Sequence, residues 1–172
     1  PVRLLPILTM VSTLLTAAPA MAETTGCFGR SYAPEHLAAN PGQQVREMRA
    51  RLRKDPNGDP AAKINILDIR LQLRDDSREF TIPLNCHAEA GGLRCSSDDC
   101  EAGHARPEVT NNGTLRLKSD YLNADPVNAP DDDGSCDRPQ RRAVNDLGAD
   151  GRTQVPTTFV LYARDARECS WK

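Results

Sequence analysis

The residues best suited to chemistry are cysteines and histidines in the middle of the chain. Cys86, Cys95, Cys100 and His104 follow the spacing C-x8-C-x4-C-x3-H. Four such soft ligands would complete a tetrahedral zinc site. However, the spacing lacks the paired C-x2-C knuckle of common zinc modules, and thiols of exported proteins are normally oxidised. The sequence therefore favours disulfide bonding of these cysteines, with a zinc-binding protein as the alternative.

The cysteine count supports the disulfide interpretation. The chain contains six cysteines: Cys27, Cys86, Cys95, Cys100, Cys136 and Cys169. An even number in an exported chain predicts a framework of three disulfides. The spacing leaves every pairing open.

The first segment is typical of a signal peptide. Residues 1–22 carry Arg3 as their only charge, followed by an apolar run and the small-x-small pattern Ala20-Met21-Ala22. We predict cleavage after this pattern, with Ala18-Pro19-Ala20 as a second candidate. The run is shorter than the roughly 20 residues that cross a bilayer, so no membrane anchor is expected after cleavage. The prediction is one periplasmic or secreted domain over residues 23–172.

Motifs for catalysis are weak in this sequence. It has no Gly-x-Ser-x-Gly elbow, no Ser-x-x-Lys motif and only three histidines that might act as a base. The sequence leaves an enzyme open but favours a protein without catalytic residues or a cofactor.

A proline-rich acidic segment precedes the end of the chain. Residues 119–151 contain Asp131-Asp132-Asp133-Gly134 and little periodicity, which predicts a long acidic loop tethered by Cys136. The EF-hand pattern fails because Ala129 and Gln140 stand at ligand positions. A solvated loop is therefore favoured over an irregular calcium site.

A row of arginines is the most unusual feature predicted for the surface. From Met48 onward, apolar residues alternate with arginines, as in a half-buried strand. If the next strand pairs with this one, five guanidinium groups share one face, the arginine row: Arg49, Arg51, Arg53, Arg70 and Arg74. Such a face would bind lipopolysaccharide phosphates or an acidic partner. The favoured alternative is a solvated face paired with Asp68, Asp75 and Asp76.

Other alternating patterns predict further strands. Apolar residues alternate over 64–73, and their phase switches after Ile66, which predicts a bulge. Similar patterns cover 80–86 and 155–162, and Asn111-Asn112-Gly113 is a hairpin turn signal. Short helices are predicted over 34–39 and near 141–147.

The composition limits the fold class. The chain has 172 residues, is 38% hydrophobic and 27% charged, and carries a formal net charge of −2. These values predict a single β-rich domain with a thin core, stabilised by disulfides. We expect a small antiparallel sandwich, barrel or curled sheet of about six to eight strands with one or two short helices.

Two segments resemble a group of bacterial periplasmic proteins. The first is Cys27-Phe28-Gly29-Arg30-Ser31-Tyr32 followed by His36-Leu37-Ala38, and the second is Gly91-Gly92-Leu93-Arg94-Cys95. The group begins its mature part with Cys-x-Arg-x-Tyr and His-Leu-Ala and has a Gly-Gly-x-x-Cys segment in mid-chain. No activity is known for it, so the resemblance implies compartment and scaffold.

The resemblance draws attention to Arg30, Tyr32 and His36. If residues 32–36 are helical, the tyrosine and histidine lie one turn apart and would line a small polar site. The favoured alternative is structural, with both rings covering the end of a sheet.

These patterns favour binding over catalysis. The leading hypothesis is a protein of the cell envelope that engages an unknown protein or a polyanionic envelope component through the arginine row or the acidic loop. The near-neutral net charge argues against nucleic acid as the partner. An inhibitor of an exported hydrolase such as lysozyme is an alternative by analogy of size and compartment.

Overall fold

The computed structural model describes residues 25–56, 65–97, 102–129 and 138–171. Within them, nine antiparallel strands form one sheet. In chain order the elements are β1 (Gly26–Ser31), α1 (Pro34–Ala39), β2 (Val45–Lys54), β3 (Asn65–Leu73), β4 (Asp76–Glu89), β5 (Gly92–Ser96), β6 (Gly103–Val109), β7 (Thr114–Pro126), β8 (Arg142–Ala143), β9 (Thr157–Ala163) and a 3₁₀ turn (Ala166–Cys169).

The sheet closes on itself. From β1 to β7 each strand pairs with the next, β7 pairs with β9, and β9 returns to β1. These eight strands form a complete ring, and β8 adds a short pairing to β7. The mainly β prediction is confirmed, and the closed sheet corresponds to the barrel among the predicted forms. With about eight strands, such an interior is just wide enough to be filled by side chains.

Apolar side chains on alternate positions fill the interior. In β2, Met48, Ala50 and Leu52 are at most 4% exposed, as their alternation with arginines predicts. The same alternation continues around the ring. Further buried members of the core are Phe28, Leu67, Ile69, Leu71, Leu73, Phe80, Ile82, Leu84, Leu115, Leu117, Leu122, Phe159 and Leu161.

The predicted bulge after Ile66 is wrong. Ile66 pairs with Arg53 and Leu67 pairs with Leu52 without a shift in register. Ile66 therefore lies on the outer face, where it is half-buried, while the following leucine enters the core. Ile64, the other residue of the predicted phase, lies outside the described residues.

The prediction that an acidic loop begins at residue 119 is wrong. β7 continues to Pro126, and the side chains of Leu122 and Ala124 are fully buried. A bulge at Ser119–Asp120 reverses the alternation of inward and outward positions, which hides the period of the strand. The aspartate run lies outside the described residues.

The helix predictions have mixed outcomes. α1 is confirmed, with Pro34 in its first turn and Leu37 buried beneath it. The second predicted helix is wrong, because Arg142 and Ala143 form β8 and Leu147 makes an isolated bridge to Gln154. Among the described residues, no helix is both long enough and apolar enough to span a membrane.

Two disulfides are formed in the described chain. Cys27–Cys169 joins β1 to the 3₁₀ turn, and Cys86–Cys95 links the directly paired positions of β4 and β5. Disulfides are typical of proteins that fold outside the reducing cytoplasm. Cys100 and Cys136, the remaining two of the predicted framework, lie outside the described residues.

Removing the disulfide that closes the longer loop should destabilise the fold more than removing the one that closes the shorter loop. Cys27 and Cys169 are 142 positions apart, and Cys86 and Cys95 are 9 apart. Loop-closure entropy predicts losses of about 5 and about 2.5 kcal/mol, respectively, for the two Cys→Ala pairs. Equilibrium urea unfolding of both double variants measures the difference. Equal losses would contradict an entropic origin.

Gly103 should tolerate alanine poorly because of the adjacent bulge. Its φ is +99°, and an added Cβ would lie 2.3 Å from the Tyr121 carbonyl oxygen. Gly113, in the confirmed hairpin turn, has φ +75° but nothing within 4 Å of such a Cβ. We expect Gly113→Ala to lower the free energy of unfolding by about 1 kcal/mol and Gly103→Ala by at least about 2. Similar losses in urea unfolding would show that the close approach is relieved at little cost.

Candidate functional site

Four members of the arginine row share the outer face of β2 and β3. Arg51 and Arg53 both donate to Asp68, with the closest N···O distances at 2.9 and 2.8 Å. Arg49 and Arg70 both donate to Glu79 at 2.9 Å. Two carboxylates therefore each bind two guanidinium groups, so much of the positive charge of this face is neutralised within the fold.

The end of the chain covers the same face. Arg49 and Arg51 donate to the main-chain carbonyls of Glu168 and Cys169 at 3.2 and 3.1 Å. The ring of Trp171 then lies 5.2 to 5.9 Å from three guanidinium carbons, those of Arg49, Arg51 and Arg70. Cation–π contacts at these distances are favourable. The face therefore holds the C-terminal segment in place.

Arg74 does not join the row. Its guanidinium group donates to three carbonyls of the loop after α1, those of Asn40, Pro41 and Gln43, at 3.0 to 3.2 Å. The prediction of five guanidinium groups on one face is wrong at this position because Arg74 lies in the turn after β3, where the strand alternation no longer applies.

Of the three aspartates predicted to neutralise the row, only Asp68 does so. Asp75 and Asp76 bind Arg142 at the turn between β3 and β4. Hydrogen bonds from Arg78 hold the pKa of Asp76 at about 2. The predicted salt pairing is therefore confirmed for one of three carboxylates.

A second group of side chains comes together at the junction of β1 and β9. The rings of Tyr32 and His36 stack with centroids 5.1 Å apart. The Arg30 guanidinium carbon lies 4.5 Å from the Tyr32 ring and 5.8 Å from the Tyr162 ring. We name Arg30, Tyr32, His36, Tyr162 and the neighbouring Asp146 the Arg30 cluster. The three residues singled out in the sequence are therefore in contact.

Arg30 differs from the arginines of the row in its partners. Among the described residues it contacts two aromatic rings, and no carboxylate forms an ion pair with it. His36 Nε2 lies 3.0 Å from Gln43 Oε1, which fixes the imidazole against the loop after α1. Tyr162 is 50% exposed. The cluster therefore combines a half-buried cation with an exposed aromatic ring.

Burial shifts two pKa values in this cluster. The pKa of Tyr32 is raised by burial; the Arg30 guanidinium acts against this shift, whereas the Asp146 carboxylate reinforces it. Burial also raises the pKa of Asp146. The Tyr32 hydroxyl therefore stays protonated at neutral pH, where it can donate a hydrogen bond.

The predicted zinc ligands are not assembled. Cys86 and Cys95 are bonded to each other, which removes two thiolates from the set. His104 Nε2 lies 3.0 Å from Asp120 Oδ2, and Cys100 lies outside the described residues. No group of three or more His, Cys, Asp or Glu side chains in the described ranges has an arrangement suited to a metal ion. Asp125 begins residues 125–137, the segment considered for an irregular calcium site, and its carboxylate binds Arg138 and Arg141 instead.

Sequence reasoning missed three residues of these surfaces. Tyr162 and Asp146 reach the Arg30 cluster only through long-range packing, and Trp171 reaches the arginine row only because the Cys27–Cys169 disulfide anchors the preceding turn. The sequence offered one partial signal: tyrosine and tryptophan are common at binding surfaces.

Comparisons with known proteins find no relative of this chain. No family model, curated protein or solved structure matches the chain.

Replacing Asp146 with asparagine should stabilise the protein at neutral pH. Because burial raises the pKa of Asp146 in the folded protein, ionisation of its carboxyl group costs more free energy in the folded than in the unfolded chain. This destabilisation is absent at a pH below the unfolded value and develops as the pH rises. We expect Asp146→Asn to unfold at higher urea concentration than the parent at pH 7, and the gain to disappear near pH 3. A gain of equal size at both pH values would contradict the titration as its cause.

Proposed function

We propose that this chain is a non-enzymatic binding protein of the cell envelope, periplasmic or secreted, that engages a protein partner through the Arg30 cluster. Two disulfides and the predicted signal peptide support the compartment. The observation that carries the binding surface is Arg30 itself, held between the rings of Tyr32 and Tyr162 without a carboxylate partner among the described residues.

The contrast with the arginine row favours the Arg30 cluster as the binding surface. In the row, Asp68 and Glu79 already bind the guanidinium groups, and Trp171 covers them. A polyanion would have to displace these groups and leave the carboxylates without partners. Arg30 requires no such exchange with the described residues, because none of their carboxylates forms an ion pair with it.

The composition of the cluster favours a protein as its partner. Arginine and tyrosine are enriched among the residues that contribute most to binding energy at protein interfaces. The tyrosine rings provide contact area with few rotatable bonds, and stacking already restricts Arg30, Tyr32 and His36. The guanidinium group is suited to an acidic side chain of the partner, which it would bind in a bidentate manner.

Site-specific photo-crosslinking tests this proposal. A photoreactive phenylalanine at position 162 should capture one defined protein from the envelope extract of the producing bacterium. Arg30→Ser should reduce the yield by roughly tenfold or more, as expected for loss of a charged interface contact. The matched control is Arg53→Ser, which leaves Asp68 paired with Arg51 and should keep the product. The triple variant Arg49→Ser, Arg51→Ser, Arg53→Ser tests the arginine row once urea unfolding has shown that it still folds.

The opposite pattern would overturn the proposal. If the triple variant abolished the product and Arg30→Ser left it intact, the arginine row would be the interface. Binding of lipopolysaccharide vesicles that the triple variant alone abolished would indicate a polyanionic partner. Lysozyme should be tested as a defined candidate. If a stoichiometric excess of the chain leaves the lytic rate of lysozyme unchanged, the inhibitor hypothesis is wrong.

A further inference from the structure

The bulge in β7 creates a cluster that the proposed function does not use. Arg106 pairs with Lys118 and His104 pairs with Tyr121, so β7 has one more residue than β6 between these two pairs. Because of this extra residue, Asp120 and Tyr121 are both exposed. Asp120 Oδ2 lies 3.0 Å from His104 Nε2, and the Tyr121 ring meets the imidazole edge-on at 5.3 Å. Bulges that aim side chains in this way are common beside functional sites.

Several buried contacts fix the geometry of the bulge. The Ser119 hydroxyl donates to the His104 carbonyl at 2.9 Å. The fully buried Asn145 donates to the carbonyls of Ser119 and Val155 at 3.0 and 3.1 Å, which ties β7 to the segment before β9. Gly103 allows the close approach of the Tyr121 carbonyl. The outward side chains therefore stand on a backbone that is held from inside.

A groove of about 330 Å³ lies beside the bulge, across β6, β7 and the start of β9. This volume is at the lower end of the range for small-molecule sites, roughly 300 to 1,000 Å³. Every lining side chain except that of Pro156 carries a polar group, which favours a polar ligand. The lining residues are His104, Arg106, Lys118, Ser119, Asp120, Pro156, Thr157 and Thr158.

Two cations face each other at this groove. Arg106 and Lys118 occupy directly opposite positions on β6 and β7, and like charges in this arrangement repel. Within the described ranges, Arg106 forms one ion pair, with Glu89 at 3.4 Å, and Lys118 forms one, with Glu108 at 3.2 Å. All four side chains are about half exposed, and ion pairs of this kind contribute little. A ligand oxyanion between the cations would relieve the repulsion.

We propose that this groove binds a small polar ligand through an oxyanion group, a carboxylate or a phosphate. Arg106 and Lys118 hold the oxyanion, and Thr158, directly opposite Lys118 on β9, adds a hydroxyl donor. The His104–Asp120 pair supplies a donor and acceptors for hydroxyl groups of the ligand. The nearby Ser119 hydroxyl is not available as a nucleophile, because it is buried and donates to a main-chain carbonyl.

Titration of ¹⁵N-labelled protein by NMR at fixed ionic strength tests the proposal. The probes are inorganic phosphate, acetate, glucuronate, glucose 6-phosphate and neutral glucose. Saturable shifts of the amides of Arg106, Lys118 and Thr158 are expected with the anionic probes and not with glucose. Tighter binding of the phosphate pair or the carboxylate pair would identify which oxyanion the site prefers. Glucuronate should bind more tightly than acetate, and glucose 6-phosphate more tightly than inorganic phosphate, because His104 and Asp120 contact the sugar hydroxyls.

A matched pair of charge-removing variants separates a site from general attraction. Lys118→Met should weaken binding by roughly tenfold or more, the effect of losing one charge-assisted hydrogen bond. Arg116→Met removes a cation two positions away on the same strand, opposite Glu108 and outside the groove, and should leave binding unchanged. Equal effects of the two variants, or shifts that grow linearly with every anion, would overturn the proposal. Neither outcome bears on the Arg30 cluster, which the crosslinking experiment tests independently.

Discussion

Closure of the sheet between β1 and β9 is the constraint on which the rest of the structure depends. The two strands share only two paired positions, Phe28 with Ala163 and Gly29 with Tyr162. One further main-chain hydrogen bond, from Arg164 to the Cys27 carbonyl, extends the pairing. The Cys27–Cys169 disulfide holds the same junction covalently. A closed sheet has no open edge for pairing with other chains, so this short junction protects the whole ring.

The junction also assembles the surface features on either side of it. Arg30 on β1 and Tyr162 on β9 meet only when the ring is closed. The disulfide then directs the C-terminal segment over the arginine row, where Trp171 lies among three guanidinium groups. Two carboxylates and the C-terminal segment bind the guanidinium groups of the arginine row. These contacts stabilise the closed sheet. Arg30 is half-buried and forms no ion pair with a carboxylate among the described residues.

Local patterns predicted those parts of the fold in which each residue contacts its immediate cross-strand neighbours. The alternation from Met48 placed β2 correctly, and Asn112-Gly113 marked a real hairpin turn, since both signals depend on a few adjacent residues. The alternation of apolar and polar residues breaks at Ser119–Asp120, because one extra residue in β7 exchanges the inward and outward positions. The contact of Tyr162 with Arg30 joins positions more than a hundred residues apart, and no local period encodes it.

Both proposed sites lie where the regular ladder is interrupted. Along β2, β3 and β4 the register is continuous over most of its length, and opposite side chains such as Arg51 and Asp68 satisfy each other across the strands. At the junction Arg30 contacts rings, and beside the bulge Lys118 faces a second cation. Among the described residues, Arg30 forms no ion pair with a carboxylate and Lys118 forms only a half-exposed one with Glu108. The two proposals therefore place ligands at cations that the fold neutralises weakly.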